Sequence, residues 1–163
     1  IDLAIDCVRN WGSNEQFSLK LLIIGPDNDK EIEVKYSNST INYVPQVYDP
    51  KILFKYFSIS DYGICPDNVG LFCLSCILSG IPIITHNNFA YHGPESSSLK
   101  IGINFLPINF PVSRDDIKIK LYQAYKYKKV GKFSPELINN SLPKYFTNNY
   151  QKKVIGELFW ISL

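Results

Sequence analysis

Apolar residues in this chain fall into short runs divided by polar breaks, and the period changes from run to run. Leu3, Ala4, Cys7 and Val8 recur at helical spacing, which predicts a helix from residue 1 to about 11. Leu19 to Ile24 is an apolar run with a single Lys inside it, closed by Gly25-Pro26. Such a run reads as a strand buried on both faces, as in a parallel sheet. Residues 27–37 are polar and could hold a short helix. Ile41 to Val44 predicts a short strand. Asp49-Pro50 then opens a helix through Leu53, Phe54 and Phe57, with Asp49 as N-cap and Pro50 in the first turn. Tyr62 to Cys65 predicts a strand, Gly70 to Ser79 a helix, and Ile81 to Thr85 a further strand. Phe105-Leu106 reads as a short edge strand. A long helix follows from Asp115 to Lys129, opened by Ser113, and another from Tyr150 to about Trp160.

Strands alternating with helices over short connections predict α/β class, a doubly wound parallel sheet. In such sheets ligands sit beyond the carboxyl ends of the strands. The loops there are Gly25-Pro26-Asp27-Asn28, Pro45-Gln46-Val47-Tyr48, Pro66-Asp67-Asn68-Val69-Gly70 and His86-Asn87-Asn88. The third is chemically pointed. Asp67 or Asn68 can cap the helix that follows, whose free N–H groups favour an anion such as a diphosphate without a metal ion. Gly70 and Leu71 open that helix, and Gly70 removes a Cβ where a ligand would approach. Gly80 ends the helix and Pro82 directs the chain into the next strand.

Bulk properties narrow the classes. At 163 residues, 45% hydrophobic and 20% charged, the chain suits one globular domain with no linker or repeat. A net charge of +2 gives no case for nucleic acid. No apolar run reaches membrane-spanning length. Residues 1–10 read as the interior of a helix, so the expectation is a fragment whose upstream domain is missing. The four cysteines, Cys7, Cys65, Cys73 and Cys76, are scattered among apolar residues, which suits a reducing compartment. Cys73 and Cys76 form a C-x-x-C inside one helix with no second pair and no ligand His, so they read as small buried hydrophobes. No metal site is expected.

The ordered segments LLIIG, INYVPQV, ILFKYFSISDYGICP, VGLFCLSCILSGIPIITHNN and GPE resemble the C-terminal half of GT-B glycosyltransferases. The match is to the retaining family known as glycosyl transferases group 1, in a divergent branch associated with bacterial polysaccharide synthesis. Gly25, Ser60-Asp61, Pro66, Gly70-Leu71, Gly80, Pro82 and Pro94-Glu95 follow the family's order over roughly residues 1 to 130. The resemblance implies a single donor-binding domain over 1–163, with C-terminal helices in 130–163 that could cross back to an absent acceptor domain. It implies a nucleotide sugar as donor substrate and transfer, with retention, to an acceptor hydroxyl of a saccharide or lipid-linked saccharide. The donor-binding set would be Gly25, Val44, Pro45, Asp67, Asn68, Val69, Gly70, Leu71, Ser75, His86 and Glu95. Val44 to Val47 would flank the nucleobase, and Glu95 would orient the donor sugar. His86 and His92 flank the Glu95 loop. Ser75 stands where the family carries its ribose-holding acid, which favours binding over chemistry at that helix. No catalytic residue is assigned, and this chain alone is expected not to transfer sugar. A cytoplasmic location is implied, and the Lys/Tyr stretch from residue 118 to 132 could rest on an anionic membrane face. The alternatives are a nucleotide-sugar epimerase of the same architecture and a non-catalytic α/β binding module.

Overall fold

The computed structural model describes residues 2–25 and 31–143. The expected helix near residues 150–160, and the loop residues 26–28, lie outside them.

The first helix, α1, spans Asp2–Arg9 and buries Ala4, Cys7 and Val8, three of the four positions its spacing marks, while Leu3 is exposed. Strand β1 is Leu19–Ile24. Two strands follow: β2, Ile32–Lys35, and β3, Ser39–Val44. They form a three-stranded sheet in the order β1-β3-β2, with β1 and β3 parallel and β2 antiparallel to β3. The short helix expected in 27–37 is thus replaced by a strand over Ile32–Lys35. β-branched Ile32 and Val34 alternate there with Glu33 and Lys35, and pair with Tyr43 and Ile41 of β3. A two-residue period over four positions is too short to outweigh the charges when the sequence is read alone. Strand β1 also departs from expectation, being half-buried with Lys20 exposed. Among the described residues it has a ladder partner on one side only, so it behaves there as an edge.

Helix α2 is Pro50–Ser58. Its Asp49 cap accepts the Lys51 amide at 2.8 Å, as the Asp-Pro pair predicts. Strand β4 is Gly63–Cys65, α3 is Phe72–Leu78, β5 is Ile83–His86 and β6 is Phe105–Ile108. Helix α4, Arg114–Lys129, starts in a capping box between Ser113 and Asp116. The short α5, Pro135–Asn140, is capped by Ser134. Strands β4, β5 and β6 form a second three-stranded sheet, all parallel, with β5 central.

Every residue of β5 is buried. Alternation sends Ile83 and Phe105 into one core with Cys73, Cys76 and Ile77 of α3 and Ile138 of α5. Ile84 and Leu106 enter a second core with Cys7 of α1, Trp11, and Ile117 and Ala124 of α4. Helices therefore cover both faces of the parallel sheet, the arrangement such a sheet requires. Among the described residues the hydrogen-bonded ladders form two sheets of three strands instead of one continuous sheet. They meet through packing, since Leu19 of β1 joins Tyr62 and Ile64 against the second core.

Helix α3 ends as the sequence predicts. Gly80 has φ of 72° and donates to the Ile77 carbonyl at 3.0 Å, while Ile81 donates to Cys76 at 3.0 Å. These two bonds are a Schellman closure, and they return the chain into β5.

Candidate functional site

The carboxyl ends of β4 and β5 carry the polar group of greatest interest. From the end of β4, Cys65 points its thiol at the backbone oxygens of Asp67 and Asn68, at 3.6 and 3.3 Å, and so holds a tight turn. Asp67 and Asn68 are exposed. Neither caps α3, contrary to expectation. The helix begins at Phe72 after an uncapped Leu71. The Asn68 side-chain oxygen instead accepts the Gly70 amide at 3.2 Å and the Gly93 amide at 3.2 Å. Gly70 takes φ of 42°, which carries the chain away from helical geometry before α3 can start. The Gly70 amide is therefore engaged by Asn68, not presented to a ligand.

Asn68 in this way joins the β4 turn to the loop that leaves β5. A methyl on Gly93 would lie 2.5 Å from Glu95 Oε2 and 3.9 Å from Gly70 Cα. Two glycines therefore abut, and the Glu95 carboxylate packs on one of them. A methyl on Gly70 would meet nothing within 4 Å, so that α-carbon borders open space. Glu95 sits in a 3-10 turn, Pro94–Ser98, whose Ser98 hydroxyl donates to the Glu95 carbonyl at 2.6 Å. Chemically this is an acceptor carboxylate beside unshielded backbone. It suits a ligand rich in hydroxyl groups.

Two histidines form the floor of the same loop. His86, the last residue of β5, is 1% exposed. Its ring stacks on His92 at 4.0 Å with 16° between planes. His86 Nδ1 accepts the Asn88 amide at 3.2 Å, which leaves its neutral-form proton on Nε2. His92 Nε2 lies 2.8 Å from the His86 carbonyl and must donate to it. His86 Nε2 and His92 Nδ1 are both buried with no hydrogen-bond partner among the described residues. Burial, and secondarily the neighbouring His92, hold the His86 pKa below the ordinary histidine value, while Asp67 opposes them.

The remaining expected site residues fall elsewhere. Val69 is 1% exposed and belongs to the core under α3. Leu71 is 69% exposed beside the turn. Ser75, in α3, turns its hydroxyl onto the Leu71 carbonyl of its own helix at 3.4 Å. Gly25, Val44 and Pro45 lie at the carboxyl end of the β1-β3 pair, where the Gly25 amide donates to Val44 at 3.2 Å. No hydrogen bond or ring contact among the described residues links them to Asn68, His86 or Glu95. Gly93 is the residue that sequence reasoning passed over. Its signal was its place immediately before Pro94-Glu95.

Two surface hollows lie away from this cluster. One, of about 190 Å³, is lined by Cys7, Asn10, Arg114, Asp115 and Lys118. The other, of about 290 Å³, lies between α5 and the segment 100–103. Hydrogen-bond convergence, not cavity size, singles out the Asn68 cluster. Among the described residues no group of three or more His, Cys, Asp or Glu could hold a metal ion, and no helix is long and apolar enough to cross a membrane. The C-x-x-C pair is core: Cys73 and Cys76 are fully buried and unpaired, and burial pushes the Cys73 thiol up to about 11. Several lysines of the 118–132 stretch have internal partners. Lys118 pairs with Glu15, Lys128 with Asp61, and Lys132 lies over the Tyr127 ring.

No family model, curated protein or solved structure matches the chain.

Proposed function

We propose that this chain is the nucleotide-sugar-binding unit of a retaining glycosyltransferase of GT-B architecture. The complete enzyme would move a glycosyl unit from an NDP-sugar to an acceptor hydroxyl in polysaccharide or glycoconjugate synthesis. One observation carries the reading. Asn68, Gly70, Gly93 and Glu95 converge beyond the carboxyl ends of parallel strands β4 and β5, where sheets of this class receive ligands.

In this reading Glu95 accepts hydrogen bonds from the donor sugar's hydroxyls, and the open α-carbon of Gly70 admits the ligand close to the backbone. Asn68 acts as the tie that sets the distance between the two loops. The cluster presents no nucleophile–base pair, so its role is to bind and orient. Transfer would draw on further groups in the complete enzyme.

A second reading, a non-catalytic binding module, is favoured by Ser75. Its hydroxyl is turned onto its own helix where the resembled family holds ribose with an acid.

Calorimetric titration with UDP-, GDP- and dTDP-sugars tests the proposal. Binding of one of them is expected, with Glu95→Gln weakening it at least about tenfold through loss of charge-assisted bonds. Absence of heat with all three, and no protection of the amides of residues 67–70, overturns it. Binding without turnover by the longest natural form of the protein selects the module.

A further inference from the structure

The loop from β5 to the Gly93 corner is closed by one residue used twice. The ring of His86 accepts the Asn88 amide at 3.2 Å, and its backbone carbonyl accepts His92 Nε2 at 2.8 Å. Gly93, next in the chain after His92, is tied to Asn68. The histidine stack is thus the near end of the tether that ends at Glu95.

One of these links demands a particular protonation state. The Asn88 amide needs a lone pair on His86 Nδ1, and an imidazolium has none. A proton there would set two N–H groups against each other. It would also leave a positive charge buried at 1% exposure, 4.0 Å from a second imidazole. The His92 bond to the His86 carbonyl survives protonation of His92, so the sensitive member is His86. Among the described residues the titratable groups acting on the His86 ring are His92 across the stack and Asp67 from the β4 turn. From the segment after β6 it meets Phe110, at 4.9 Å between ring centres, which does not titrate.

We infer that His86 and His92 form a proton-operated clasp: with His86 neutral, residues 87–93 are closed onto β5 and Glu95 is held beside the Asn68 turn, and proton uptake by His86 opens the loop. The direction follows from linkage. Closure depresses the His86 pKa, chiefly by burial. Closure is therefore fully supported above the ordinary histidine value of about 6.5 and is weakened as pH falls below it. Nothing in this depends on what the site binds, so the clasp and the donor-binding proposal can fail separately.

The test is nuclear magnetic resonance on the whole chain without ligand, from about pH 8 to pH 5.5. Histidine side-chain nitrogens are observed alongside amide hydrogen exchange corrected for intrinsic rates. His86 is expected as the Nε2–H tautomer at the upper pH. The Asn88 and Gly93 amides should then lose protection by up to about tenfold per pH unit below the onset, while Ile84 and Leu106 keep theirs. His92→Phe retains a ring in the stack but removes both the second imidazole and the bond to the His86 carbonyl. It should raise the His86 pKa and lower Asn88 protection already at pH 8. An Nδ1–H tautomer of His86, unchanged loop protection across the range, or joint loss of loop and core protection overturns the clasp. If His92→Phe does not fold, the wild-type titration decides alone.

Discussion

Asn68 and Gly93, 25 residues apart in the chain, are joined by a hydrogen bond of 3.2 Å from the Gly93 amide to the Asn68 side chain. The same oxygen takes the Gly70 amide, so one side chain sets the spacing of the two loops beyond β4 and β5. Asn68→Ala should cost about 0.5–1.5 kcal/mol per bond at most, because the exposed amides can turn to water. Asn68→Asp keeps an acceptor oxygen and should retain most of that stability. Thermal melts of the two variants check this ordering. Equal loss in both would mean that the amide nitrogen, not the oxygen, matters.

Gly63 lies against α3. A methyl there would overlap Cys76 Sγ and sit 3.2 Å from Phe72 Cζ. Gly63→Ala should destabilise by about 1–3 kcal/mol through overpacking. Adding Cys76→Ala removes the colliding sulfur, so the double variant should lose less than the sum of the singles. Denaturant unfolding of the four proteins measures the coupling.

The two left-handed glycines flanking α3 should respond unequally. At Gly70 (φ 42°) a methyl meets open space, so alanine should cost about 1–2 kcal/mol from backbone strain alone. At Gly80 (φ 72°) the methyl would also lie 2.8 Å from Pro135 Cβ of α5. Gly80→Ala should therefore be the more damaging, and calorimetric melting temperatures should separate them.

Thiol chemistry should divide the cysteines by depth. Cys65 is half-buried, whereas Cys7, Cys73 and Cys76 are buried. Burial pushes Cys7 and Cys73 up to about 11, so their thiolates are scarce at neutral pH and increase as pH rises. An aromatic disulfide reagent near pH 7.5 is expected to modify Cys65 first, with the other three following at least about a hundredfold more slowly until the protein unfolds. Early reaction at Cys73 or Cys76 would mean that α3 opens readily.

Local chemistry made much of the fold readable. Asp49-Pro50 marks the start of α2, Ser113 the start of α4 and Gly80 the end of α3, because caps and left-handed turns act within a few residues. The burial of Cys73 and Cys76 was readable from their apolar neighbours. Strand β2 was not, since Glu33 and Lys35 carry the outward positions of a four-residue strand that β3 stabilises from outside the segment. The start of α3 was misread for a related reason. A capping Asx and a bridging Asx look alike in sequence, and Asn68 bridges because Gly93 brings it a second amide.

The amino-acid sequence by itself determined the alternation of strands and helices from β3 through β5, the parallel run of β4, β5 and β6, and the loops to inspect, because periodicity and turn chemistry are local. Tertiary structure alone decided that Asn68, Gly93 and Glu95 share a corner, that Val69 belongs to the core, and that His86 stacks on His92. Those outcomes depend on how whole segments meet, over 25 residues between Asn68 and Gly93 and over the bend of the loop between His86 and His92, and no local propensity encodes either.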